Sequence, residues 1–121
     1  MPKPEREFFK PDYLPWEPVE GSAAGGAGGP GIAQKILSRD PVTGDLTRLL
    51  RFDAGVTTTD TITHDFWEEV WIVEGGLTDL GTRQTYTAGM YACRPPGMRH
   101  GPYASVSGAL LYEIRYRARR G

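Results

Sequence analysis

Residues 89–100 read GMYACRPPGMRH. The segment opens on a glycine, runs through a short stretch suited to a strand, Met90 to Arg94, and stops at Pro95-Pro96-Gly97. The two prolines fix φ at neighbouring positions, and the glycine lets the chain reverse tightly. Three residues on stands His100, one of only two histidines in the 121-residue chain. A strand that ends in so stiff a reversal holds the next few residues in one place. Here the held side chain is an imidazole, which can ligate a metal or carry a proton.

On both sides of this segment the chain reads as short strands. IAQKILS (32–38) and LTRLLRF (46–52) predict two of them, joined by DPVTGD (40–45), where Pro and Gly supply a turn. The β-branched, polar run TTTDTITH (57–64) predicts a third strand. EVWIVEG (69–75) is a strongly apolar fourth, closed by Gly75 and Gly76. GLTDL and RQTYT (83–87) predict a hairpin around Gly81; residues 90–94 and ALLYEIRYR (109–117) complete the set. No amphipathic helical period is sustained and no internal repeat is found, and 16 glycines and 10 prolines favour many short elements. The fold class is therefore all-β, a sandwich or barrel.

Ahead of the strands, residues 1–20 set Phe8, Phe9, Tyr13 and Trp16 among prolines, and Pro11 and Pro15 discourage helix. This predicts an extended arm whose aromatics cover an apolar surface, on this subunit or on a partner. GSAAGGAGGPG (21–31) reads as a flexible link, or as a lid if it lies over a cavity mouth. The expected organisation is an arm and linker over 1–31 and one β-barrel domain over 32–121.

Charge and composition exclude several classes of function. Fourteen Lys and Arg stand against 15 Asp and Glu, which leaves no basic footprint for nucleic acid. The basic end RYRARRG reads as a solvated tail. No apolar run has the length of a signal peptide or of a bilayer span. Cys93 is the only cysteine, so no internal disulfide forms, and a free thiol suits a reducing cytoplasm.

The residues able to carry chemistry are few. His64 lies in THDFWEE, with Glu68 and Glu69 four and five residues later; His100 follows the Pro-Pro-Gly turn. A polar strand ending in His, an apolar strand beginning with Glu, and a rigid turn delivering a second His are strand ends that a closed antiparallel fold brings together. Glu68 and Glu69 face opposite sides of a strand, so only one points inward. Parity with Val70 and Ile72 selects Glu68; a one-residue bulge would select Glu69.

These motifs resemble the cupin superfamily of small jelly-roll barrels. One cupin motif runs glycine, five residues, proline, any residue, glycine, two residues, histidine; Gly89, Pro95, Gly97 and His100 stand at those spacings. The family's variable asparagine position holds Ala104. The other motif carries His-x-His, then Glu, then glycine, and here Gly55, His64, Glu68 and Gly75 fit, with Ile62 in place of the first histidine. Within the superfamily, EEVWIVEG and RPPGMRHGPYASVSG are most similar to the zinc-binding cupin domain of ChrR-type anti-sigma factors and to small stand-alone cupins near the β-diketone-cleaving dioxygenases.

The resemblance implies a cupin-type jelly-roll barrel and one divalent ion (Fe, Zn, Mn or Ni) on His64, Glu68 and His100. Two imidazoles and a carboxylate leave room for substrate and dioxygen on iron, or for water on zinc. The loss of a ligand at Ile62 opens such a site and makes it drier.

Around the metal, Glu68, Glu113 and Arg115 form the candidate catalytic set. If Glu113 and Arg115 point inward they stand over the metal, and Arg115 or Arg94 would bind an anionic or enolate oxygen; if outward, they are a surface pair. Arg51 carries the same ambiguity. Tyr91 and Cys93 share a face, which would bring the thiol near the metal or bury it as a small hydrophobe, and Asp65 would orient His64 or form a turn.

The expected function is that of a metal-dependent enzyme on a small oxygen-bearing substrate such as a diketone, keto or hydroxy acid or polyphenol. The chemistry would be dioxygenation or Lewis-acid lyase, isomerase or cyclase work. The alternative is a non-catalytic metal- or ligand-binding cupin, either a ChrR-like sensor or a barrel with a vestigial site. The outward Trp71 and Val73, with the arm, predict a homodimer.

Overall fold

A computed structural model describes residues 3–19 and 28–117. Most of the Gly-rich segment read as a link or lid, and the last four residues of the basic tail, lie outside the described residues. In chain order the strands are β1 (Glu17–Pro18), β2 (Ile32–Arg39), β3 (Leu46–Phe52), β4 (Val56–Thr57), β5 (Trp67–Asp79), β6 (Gln84–Thr87), β7 (Tyr91–Arg94), β8 (Tyr103–Ser105) and β9 (Ala109–Tyr116). A single 3-10 turn, Pro11–Tyr13, is the only helical element among the described residues. The chain is an all-β jelly-roll barrel with an extended N-terminal arm.

The barrel is organised around β5. Its first half lies between β9 and β7, and its second half pairs with β6 and β8. The change of neighbours falls at Gly75, just after a register shift against β9 between Ile72 and Glu74. Gly75 has φ 75°, and a Cβ there would collide with the carbonyl oxygen of Gly108. Only glycine lets the strand swing from one sheet into the other. The remaining order, β1-β2-β3-β9-β5, is antiparallel throughout.

Alternation then sorts the side chains. Leu46, Arg48, Leu50 and Phe52 of β3 are buried, as are Ala109, Leu111, Glu113 and Arg115 of β9. From β5, Glu68, Val70, Ile72, Leu77 and Asp79 point inward. Leu50, Phe52, Ile62, Val70, Ile72, Tyr103 and Leu111 belong to one apolar cluster. Turns are fixed by short acids: Asp40 Oδ1 accepts from Val42 N and Thr43 N, and Asp79 Oδ1 from Gly81 N and Thr82 N.

The run 57–64 is not a strand. Only Val56 and Thr57 pair with β8, and Ile62 makes an isolated bridge to His100. At Thr58 the side chain takes part of the backbone bonding: Tyr103 N donates to Thr58 Oγ1 at 2.8 Å, while Thr58 N donates to Tyr103 O. Two short strands, β1 and β8, are not visible in the sequence pattern; each has three residues or fewer.

The arm lies on its own barrel. Arg6 Nη1 donates to Leu37 O and Lys35 Nζ to Pro11 O. Trp16 packs beneath the cations of Lys35 and Arg51, at 4.6 and 4.4 Å from its ring centroid. Phe8 and Tyr13 remain exposed, so Trp16 is the aromatic that seats the arm.

Leu50, 1% exposed, sits at the centre of the apolar cluster. Leu50→Ala is expected to lower stability by about 2–5 kcal/mol in urea unfolding. Gly75→Ala is expected to lose at least about 1–2 kcal/mol from backbone conformation alone.

Candidate metal centre

Two backbone pairings build the site. Ile62 N donates to His100 O at 2.7 Å and His100 N to Ile62 O at 3.0 Å, and Gly97 N donates to His64 O at 2.8 Å. Met98 N donates to Pro95 O at 3.2 Å, with Gly97 at φ 83°, a type II turn of the kind that Pro96-Gly97 favours. The Pro-Pro-Gly reversal is thus tied to the carbonyl of one histidine and leads directly to the other.

The result is a close approach of two imidazoles 36 residues apart in the chain. His64 Nε2 and His100 Nε2 are 3.1 Å apart, and Glu68 Oε1 is 3.8 Å from His64 Nε2. The ligating atoms of His64, Glu68 and His100 lie within 4.8 Å of one another, and all three residues are buried. Glu69 points away from the interior and accepts from the Tyr91 hydroxyl.

The donor set fits a divalent cation. His64 Nδ1 lies 2.9 Å from Phe66 O, which can only accept, so Nδ1 carries a proton and Nε2 is the nitrogen turned to the site. Nε2 faces His100 Nε2 at 3.1 Å, so a proton or a cation must lie between the rings. His100 Nδ1 is 2.8 Å from the Tyr103 hydroxyl, which can donate or accept and so serves either tautomer. Donors bound at about 2.1 Å to one cation stand roughly 3.0 Å apart in octahedral and 3.4 Å apart in tetrahedral sites, a range that takes in the 3.1 Å between the two histidines. Glu68 stands further out because Arg94 Nη1 holds Oε1 and Arg115 Nε holds Oε2, each at 3.1 Å.

The electrostatics suit ligation. Burial opposes the charge on Glu68, but His64, Arg115 and Arg94 together hold its carboxyl well below the usual carboxylate range. Burial, reinforced by Arg94, pushes the His100 imidazole down to about 4. Burial also raises the Tyr103 hydroxyl, which stays protonated. At neutral pH the pocket therefore offers an ionised carboxylate and a neutral His100.

Glu113 and Arg115 point inward, beneath the histidines and inside an ion-pair network. Arg48 Nε donates to Glu113 Oε1 at 2.8 Å, Arg115 Nη2 is 4.0 Å from the same oxygen, and Arg115 Nε reaches Glu68. Phe66 stacks on His64 at 4.1 Å between ring centroids. Arg51 lies elsewhere, 3.4 Å from Asp53. Asp65 pairs with Arg117 at 2.7 Å and leaves the orientation of His64 to the Phe66 carbonyl. Cys93 is exposed rather than buried, because β7 alternates Ala92 and Arg94 inward. Phe66 and Tyr103 escaped the sequence reading; their signal was proximity, two residues after one histidine and three after the other.

A cavity of about 280 Å³ opens beside His100, walled in part by Val70, Ile72, Leu77, Met90, Arg94 and Tyr103. Deeper, among Glu68, Arg94, His100 and Glu113, only about 20 Å³ remains.

Residues 5–116 match the family model described as the ChrR cupin-like domain. The chain belongs to this cupin family. Among curated protein sequences none matches it significantly. An RmlC-like cupin from Shewanella frigidimarina superposes with TM-score 0.72 at 21% identity, over 99% of this cupin and 97% of the other chain. An acetylacetone dioxygenase from Acinetobacter johnsonii gives 0.63 at 19%, over 94% and 79%. The Rhodobacter sphaeroides complex of SigE with the anti-sigma ChrR gives 0.63 at 16%, over 87% of this cupin and 51% of that chain. At these identities the solved structures establish the fold.

The pH response of the metal-free cupin has a definite sign. Because His100 is neutral in the fold down to about 4 against an ordinary 6.5, the unfolded chain takes the proton first as pH falls. Its contribution is complete above 6.5 and is lost progressively towards 4. Glu68, depressed, extends the loss below the ordinary carboxylate range. Urea midpoints are expected to fall between pH 6.5 and 4, and His100→Gln to flatten that interval.

Proposed function

We propose that this cupin is a metal-dependent enzyme acting on a small organic molecule whose neighbouring oxygens chelate a divalent cation on His64, Glu68 and His100. The observation that carries the reading is the 3.1 Å approach of two buried imidazole nitrogens beside a carboxylate. When bound, the cation supplies Lewis acidity and, if it is iron, a site for dioxygen chemistry; zinc, manganese or nickel would serve the non-redox branch.

The chain's own residues account for the rest. Glu68 remains ionised and offers negative charge where a cation would sit. Tyr103 and the Phe66 carbonyl fix the two ring orientations. Arg115 positions Glu68, and Glu113 offsets Arg48 and Arg115, so both act in this reading from beneath the site and without touching substrate. Val70, Ile72, Leu77 and Met90 exclude water from one side of the cavity.

Structural likeness to an acetylacetone dioxygenase supports the oxidative branch over lyase, isomerase or cyclase chemistry. A second reading, a non-catalytic sensing module, draws support from the ChrR-like family description. Trp71, Val73 and Tyr91, exposed on the outer face, support pairing with a second copy of the chain.

Protein purified without chelator is expected to carry a divalent ion. His100→Ala and His64→Ala should weaken its binding by more than the roughly 10–100-fold that loss of a supporting residue causes. Equally low metal in wild type and both variants would remove the basis of the proposal. Oxygen uptake with a β-diketone or catechol panel, abolished in Glu68→Ala, marks a dioxygenase; no uptake by iron-loaded protein moves the assignment to Lewis-acid chemistry. Light scattering should find a dimer that Trp71→Lys dissociates, and a wild-type monomer would exclude the pairing.

A further inference from the structure

We infer that the cavity takes a small monocarboxylate with an apolar body, and that Arg94 binds its anionic head. The inference deepens the metal-dependent reading and rests on it for the place of the substrate, but the preference for an anion follows from the arginines themselves.

Among the described residues three arginines enter the interior, and position separates them. Arg48 donates through Nε to Glu113 and through Nη1 to Gln34 Oε1 at 2.7 Å. Arg115 donates through Nε to Glu68, and its side chain is 9% exposed. Each leaves its Nη2 buried without a hydrogen-bond partner, but neither lines the cavity. Arg94 does: its hydrogen bond to Glu68 uses Nη1, its side chain is 14% exposed, and it forms part of the cavity wall. A guanidinium has five N–H donors, enough to keep Glu68 and also grip a second carboxylate. The Tyr103 ring, 5.6 Å below the guanidinium carbon, supports it at the cavity wall.

Charge points the same way. Glu68 is shared between Arg94 and Arg115, and Glu113 between Arg48 and Arg115. Three cations therefore contact two carboxylates. Asp79, a buried acid of the cavity wall, holds its oxygens on the backbone N–H groups of Gly81, Thr82 and Gly101 and brings the buried acids to three. The buried charges then balance, and a divalent cation on the histidines leaves an excess of positive charge, which is unfavourable unless an anion joins it. The cavity offers room for that anion beside both Arg94 and His100, whereas the space beneath holds only about 20 Å³.

The wall sets the rest of the ligand. Val70, Ile72, Leu77, Tyr86 and Met90 give an apolar lining for a hydrocarbon body. About 280 Å³ lies just below the roughly 300–1,000 Å³ of sites for drug-sized molecules, so the body is small.

The test uses two pairs of isosteres, benzoate against benzamide and butyrate against butyramide, titrated by calorimetry into zinc-loaded and chelator-treated protein. At least one carboxylate is expected to bind roughly 10–100-fold tighter than its amide, the range for a charge-assisted hydrogen bond. Arg94→Met should abolish the preference in chelator-treated protein, where any loss of metal affinity from the freed Glu68 Oε1 has no bearing on the readout. Arg94→Lys, which keeps the charge and loses the planar fork, should retain part of it and decides the matter if Arg94→Met does not fold. Equal binding of acid and amide, binding of neither pair, or a preference that survives in Arg94→Met overturns the assignment. If no metal binds, the metal-dependent reading fails on its own, and the chelator-treated titration still decides the role of Arg94.

Discussion

The double backbone bond between Ile62 and His100 is the constraint on which the site depends. It joins two loops 38 residues apart at the point where each delivers a histidine. Gly97, bonded to the carbonyl of His64, locks the same two loops a second time. With both loops fixed, the two rings have little freedom except to meet edge to edge, at 65° between planes. The geometry of the pair is thus a property of main chain, and the side chains inherit it. This is how a ligand set is best preorganised, because hydrogen-bonded main chain resists displacement better than a free rotamer.

Much of this was legible in the sequence and some was not. The motif from Gly89 to His100 carried its own geometry, since prolines and glycine dictate a turn whatever surrounds them. The strands at 46–52 and 109–116 were equally plain from alternation. Their facing was hidden. Each has two half-apolar sides: Arg48 alternates with Leu49, and Glu113 with Tyr112 and Ile114, so period-2 reading cannot say which side is in. The structure chose the charged side because Arg48, Glu113, Arg115 and Glu68 form ion pairs with one another across β3, β9 and β5. Such complementarity between strands distant in sequence leaves no local trace. The polar run at 57–64 misled for the opposite reason. Its threonines have strand propensity, but the Thr58 hydroxyl takes the Tyr103 N–H that a ladder would use.

Ile62 has a clearer meaning in three dimensions than in the motif. Residues opposed in an antiparallel pair project to the same side, so Ile62 stands beside His100, where it joins the apolar cluster. The position that holds a histidine in the family's motif contributes packing here. Its loss as a ligand is accompanied by arginines on both oxygens of Glu68, which gives the site an environment richer in positive charge than two histidines and an acid alone.

The ionic floor of the barrel bears on how the molecule responds to heat. Unfolding raises the heat capacity in proportion to apolar surface exposed and lowers it in proportion to polar surface. A barrel that fills its lower interior with guanidinium and carboxylate groups has exchanged one kind of surface for the other. Its heat-capacity increment falls below that of a jelly roll of equal length packed with leucine. The stability curve is flatter as a result, one that changes slowly on warming and cooling and shifts the onset of cold unfolding to lower temperature.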